Sequence, residues 1–381
     1  MRILKLILCI IPAILFSCRE DEYVTYMTDE DTGKESNTFS EYAGLYILNE
    51  GNMGSNKSSI DYLDLSGTDS TIHYYRNIYA ERNPNTVMEL GDVGNDIDIY
   101  GSKLWMVINC SNKVEVCDAK TTKRLGQVNI DNCRYLAFDN GFAYVSSYAG
   151  PVQISENCPL GRVYKIDTLS LQKVDSITVG YQPEEMAVSN GKLYVSNSGG
   201  YRVPKYDNRI TVIDLSTFTL CKEIEVDINL HRIQSDKQGQ IWVTSRGNYY
   251  DVSPTLYCIK EDEVITKLEL PISAMTLVGD SLYYIGTTFS YANGGYHKSF
   301  GIVDVKQHKQ IETSLFDTPE ISSITLPYGI IVNPRDKDFY LMDAKNYVSS
   351  GELLHFNAEG TFDWRVSTGD IPSRGVFLPK K

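Results

Sequence analysis

Histidine and tryptophan are scarce in this 381-residue chain, five and three in number, and no familiar catalytic motif is present. No GxSxG, HExxH, phosphate loop or paired-carboxylate spacing occurs, so nothing in the sequence points to an enzyme. Of His73, His231, His297, His308 and His355, only His231 stands at a strand opening, and no second histidine accompanies it. The cysteines form no CxxC knuckle. Once Cys9 and Cys18 are set aside, Cys110, Cys117, Cys133, Cys158, Cys221 and Cys258 read as buried thiols or as one disulfide, with no metal expected. Long helical periodicity is missing throughout. Basic excess is missing too. The formal charge is −13, two units more negative once Arg2 and Lys5 leave with a leader, which disfavours nucleic acid and anionic membrane surfaces as partners.

What is present begins with a compartment signal. Arg2 and Lys5 precede an apolar run to Phe16 that is too short for a membrane span and reads as a signal peptide over residues 1–17. Leu15-Phe16-Ser17-Cys18 resembles a bacterial lipobox, which implies cleavage before Cys18 and acylation of that residue. Arg19-Glu20-Asp21-Glu22 resembles the export signal of Bacteroidota surface lipoproteins, and implies placement on the outer face of the outer membrane. The remaining polar, acidic stretch makes 18–42 a flexible tether attached to the membrane through the lipid alone.

Residues 43–381 are repetitive. A short apolar strand recurs at Ile97, Leu136, Met186, Ile233, Met275, Ile330 and Val376, in steps of 39 to 55 residues. Each of the first six is followed by a strand with an aromatic near its start, then by a third often ending on aspartate, such as Asp167, Asp214 and Asp304. Fourth strands such as Lys222–Val226 are more polar. This order predicts an all-β, seven-bladed β-propeller. The opening strand Leu45–Leu48 has no inner partner, and the final strand Val376–Leu378 has no successor. Their pairing predicts closure of the ring by the C-terminal strand against the N-terminal ones, which hides the free edges.

In such a meander the second-to-third loops share a face with the blade-to-blade connections. Those loops carry tyrosine among Asn, Ser and Gly: Tyr148, Tyr201, Tyr249, Tyr291 and Tyr347, with Asn52 in the first blade. Rings supply contact area and amides supply adaptable hydrogen bonds, so this face is the candidate ligand surface. At the strand openings stand Asp96, Arg134, Glu185, Arg232, Tyr328 and Arg374, which are expected around the axial mouth. They have two readings at this stage, as ligand contacts or as charges neutralising one another around a channel. Glu50, Asp96 and Glu185 offer carboxylates of the kind calcium requires, but their spacing selects no metal.

Residues 43–381, with Asn49-Glu50-Gly51-Asn52 beside the opening strand, resemble the YncE-like, surface-layer-type propellers. Together with Cys18 and the acidic run, the chain is most similar to the BtuG group within them. That resemblance implies a surface lipoprotein that captures cobalamin and passes it to a TonB-dependent transporter, with cobalamin as ligand and no cofactor required. Alternatives from other classes are a surface propeller for a glycan or protein, and a lactonase-type propeller hydrolase.

Overall fold

The computed structural model describes residues 29–36, 40–87, 89–290 and 295–380. Cys18, the leader, the acidic run and Tyr291 lie outside them. The described chain forms seven antiparallel sheets arranged as blades, with only two short helices, Ile78–Arg82 and Pro319–Ser323.

Six blades are four consecutive strands each. Blade two runs from Gly94–Tyr100 to Arg124–Asn129, blade three from Cys133–Asp139 to Gln172–Thr178, and blade four from Pro183–Ser189 to Thr219–Glu225. Blade five runs from Leu230–Ser235 to Glu263–Leu268, blade six from Ala274–Val278 to Lys309–Ile311, and blade seven from Pro327–Val332 to Phe362–Asp370. The apolar-to-polar gradient along each repeat has a direct cause. Inner and second strands face neighbouring blades, while outer strands such as Gln172–Thr178 are largely exposed. Third strands end on aspartate because the carboxylate caps the next turn: Asp118 Oδ1 accepts from the N–H groups of Lys120 and Thr121, and Asp214 Oδ1 from those of Ser216 and Thr217.

Seven apolar clusters fill the seven interblade gaps. The second-strand aromatics anchor them. Trp105 packs with Leu136 and Val145 between blades two and three, and Trp242 with Met275 and Leu282 between blades five and six. Tyr46, Trp105 and Trp242 are completely buried.

Blade one closes the ring. Its inner strand is the last of the chain, Pro372–Pro379, which pairs antiparallel with Tyr42–Asn49 from Tyr42↔Pro379 to Asn49↔Pro372. Blade one also carries a fifth, outermost strand, Asp29–Glu35, paired with Thr71–Tyr75. This strand lies within 18–42, the stretch whose sequence reads as a tether. An edge strand with no fully buried residue needs no apolar alternation, so its polar sequence resembles a linker. The strand also reaches blade seven, where Glu30 accepts from the Ser367 N–H at 3.1 Å and Lys34 pairs with Asp363. Its register, Asp29 opposite Tyr75 and Glu35 opposite Thr71, runs it from the tyrosine-bearing side of the ring toward the other side.

Candidate functional site

The strand openings place a charged network around the mouth. Arg374, on the closing strand, reaches across to Glu185 of blade four. Arg232 of blade five donates to the same Glu185 Oε1 at 2.8 Å. Glu184 is held by Arg134 at 3.1 Å, by the Tyr148 hydroxyl at 2.7 Å and by Arg246 at 3.5 Å. Tyr135 sits among them. Its ring lies 5.3 to 5.7 Å from the guanidinium carbons of Arg134, Arg232 and Arg374, and its hydroxyl is 3.2 Å from His231 Nε2.

The electrostatics follow from burial and pairing. Burial alone would raise the Glu184 and Glu185 carboxyls, but the adjacent arginines overcome it and hold both below the ordinary value. Asp96 is pushed up to about 6 by burial, which Arg374 offsets only in part. Asp98, one step along the same strand, rises to about 7 through burial and the neighbouring Asp96. Burial and the surrounding arginines keep the His231 imidazole neutral, well below its usual range.

Beside this mouth, over blades five to seven, lies an open cavity of about 660 Å³. Tyr249, Tyr250, Tyr296, Tyr328 and Tyr347 line it, with Arg232, Arg246 and His231. Tyr328 and Tyr347 meet edge to face, their ring centroids 5.6 Å apart. Tyr250 is 90% exposed, so its ring is free to cover a ligand.

The residues expected from the sequence therefore separate into groups. Tyr249, Tyr347, Tyr328 and Arg232 come together at the cavity. Arg134, Glu185, Arg374 and Asp96 belong to the mouth network, and Asp96 also accepts from the Leu136 and Ile97 N–H groups. Asn52 ties two loops together by donating to the Tyr347 carbonyl at 3.0 Å. Tyr201 is exposed at the rim over blade four and leans on Tyr148. Tyr148 departs from the expectation of free ring area: it is buried, because its hydroxyl serves Glu184 and Arg134 covers its face at 4.8 Å. Arg246, Tyr250 and Tyr296, from the same tyrosine-rich loops, join the lining beside the residues singled out from the sequence. For Arg246 a signal existed. In three blades the first residue after the second strand reaches the mouth: Glu50, Tyr148 and Arg246.

Among the described residues no group of histidine, cysteine and acidic side chains is arranged to hold a metal ion. The six cysteines of the propeller are free thiols, with Cys117, Cys133, Cys158 and Cys258 buried.

Solved structures similar to this chain are varied propellers. A hypothetical selenium-binding protein from Sulfolobus tokodaii matches with a TM-score of 0.63 at 12% identity, over 88% of this chain and 93% of that one. A quinonprotein alcohol dehydrogenase-like protein from Bacteroides thetaiotaomicron VPI-5482 matches with a TM-score of 0.57 at 15% identity, over 88% and 78%. A functionally unknown protein from Desulfotomaculum acetoxidans DSM 771 gives 0.57 at 11%, over 89% and 99%. At such identities the likeness is one of fold alone. No curated protein sequence matches the chain. A family described as a domain of unknown function, DUF5074, matches residues 43–365, which is nearly the whole propeller, and the chain belongs to that family.

Proposed function

We propose that this protein is a lipid-anchored surface binding protein that captures cobalamin or a related corrinoid and hands it to a TonB-dependent outer-membrane transporter. The observation that carries the reading is the cavity over blades five to seven, walled by tyrosines with two arginines in its lining. A corrin is a broad disc with amides around its rim. Tyrosine faces suit the disc, and hydroxyl and guanidinium groups suit the rim. The volume lies within the range of small-molecule sites, about 300–1,000 Å³, and the opening allows a larger ligand to project outward. Cys18 supplies the anchor in this reading, and the acidic run after it directs export. The role is capture rather than catalysis.

The test is co-elution. Mature protein is mixed with cobalamin and separated by gel filtration with visible absorbance. Colour travelling with the protein is expected. Its absence, together with no heat on calorimetric titration, overturns the corrinoid assignment. Tyr249→Ala and Tyr347→Ala should each weaken binding by about 2 kcal/mol, roughly thirtyfold. Asn190→Ala, in a turn on the opposite face, should leave affinity unchanged.

A further inference from the structure

The guanidinium groups of the mouth and cavity are unequally paired. Glu184 is shared between Arg134 and Arg246, and Glu185 between Arg232 and Arg374. Four cations therefore share two firmly held carboxylates. Asp96 approaches Arg374 only at 4.0 Å, and the Glu50 carboxyl is pushed upward by burial despite its bond to Tyr328. The deficit is greatest at Arg246. Its guanidinium makes a single ion-pair contact among the described residues, at 3.5 Å, and its side chain keeps 29% of its surface open where it lines the cavity. Arg232 lines the same wall. His231 lies in the same lining, where burial first and the arginines second keep its imidazole neutral. All this sits in a chain of formal charge −13, so the positive wall contrasts with the molecule around it.

From this we infer that Arg246 and Arg232 form an anion subsite of the cavity, built for a phosphate-type oxyanion carried by the ligand. A guanidinium offers a planar fork of donors that matches phosphate oxygens two at a time. Arg246 has that fork unfilled, whereas Arg232 is fixed by Glu185, the Ser273 carbonyl and the Tyr135 hydroxyl and supplies charge in a set position. The hydroxyls of Tyr249 and Tyr347 in the same lining add neutral donors. The inference rests on the binding role proposed above and narrows its ligand class: for a corrinoid, the recognised group is the phosphodiester of the nucleotide loop.

Two measurements separate the inference from the corrinoid reading. The first is thermal melting in low-millimolar inorganic phosphate at constant ionic strength, using wild type, Arg246→Gln, Arg246→Lys and the opposite-face control Lys237→Gln. Phosphate should raise the melting temperature of wild type and Lys237→Gln, raise Arg246→Lys by less, and leave Arg246→Gln where it starts. The second is calorimetric titration with cobalamin and with cobinamide, which has no phosphodiester. Arg246→Gln should lose about tenfold or more in cobalamin affinity with cobinamide unaffected. If Arg246→Gln responds to phosphate as wild type does and keeps full cobalamin affinity, the subsite is overturned. If no corrinoid binds but the phosphate response depends on Arg246, the subsite stands and the corrinoid assignment falls.

Discussion

At the mouth, carboxylates only a few residues apart in role titrate in opposite directions. Asp96 and Asp98 have folded values of about 6 and about 7, above the ordinary 3.8, so their contribution to stability is complete below 3.8 and is lost as pH rises from there through the folded values. Glu184 and Glu185 are held below their ordinary value by arginines, so their contribution is present above about pH 4.5 and fades as pH falls below it. The aspartate loss begins near the unfolded value of 3.8 and the glutamate gain is complete near 4.5, so stability should peak at about pH 4 and decline toward neutrality. Asp98→Asn should flatten the neutral limb and raise the melting temperature at pH 7.5 by about 2 °C or more. The variant still accepts from the Ile99 N–H, now at 2.7 Å. A melting series from pH 3.5 to 8 checks both limbs, and an unchanged neutral limb in Asp98→Asn would show that Asp98 ionises freely. At this scale the charged positions were legible as a ring, because each opens an inner strand. Their partners were not: Arg374 and Glu185 stand 189 residues apart, and only closure of the ring brings them into contact.

Blade one contains two edge devices of unequal weight. The closing strand Pro372–Pro379 supplies the inner position, and Val376, Phe377 and Leu378 pack into the gaps on either side of blade one. Ending the chain before Ile371 opens the ring and exposes both gaps. The expected outcome is a cooperative loss of the melting transition and of monodispersity, seen by calorimetry and light scattering. The outermost strand Asp29–Glu35 is mostly exposed, and its contacts with blade seven are few. Removing residues 29–36 should cost about 1–2 kcal/mol and leave ligand affinity intact, as urea unfolding and titration would show. A loss as large as that of the C-terminal truncation would make the outer strand an equal part of the closure. The contrast explains what could be read in advance. Apolar periodicity marks strands that bury a face, so the closing strand announced itself from Val376–Leu378 alone. The outer strand buries little and carried no such mark.

For the molecule as a whole, the ring and its tyrosine face followed from the repeat and from the alternation of turns. The position of the cavity did not. Which loops lean together depends on loop and strand length: the Asn109–Asn112 turn of blade two is far shorter than the blade five connection between Ser245 and Thr255, and in blade six the strands themselves run on to Ser290 and from Gly295. The anchoring proposed at Cys18 belongs to this scale as well. Cys18→Ser should release the protein from membranes into the soluble fraction, checked by fractionation and metabolic labelling with a fatty acid; retention in the membrane would count against lipidation at this residue. The direction of the outermost strand then acquires a meaning. Because Asp29 enters from the tyrosine side, a chain fixed at Cys18 is leashed by the same side that carries the cavity, with at most about 36 Å of extended chain between lipid and strand. Under the anchoring and capture proposed above, such a leash would tip the mouth downward, so that cargo taken up by the propeller would be presented to whatever lies in the membrane beneath it.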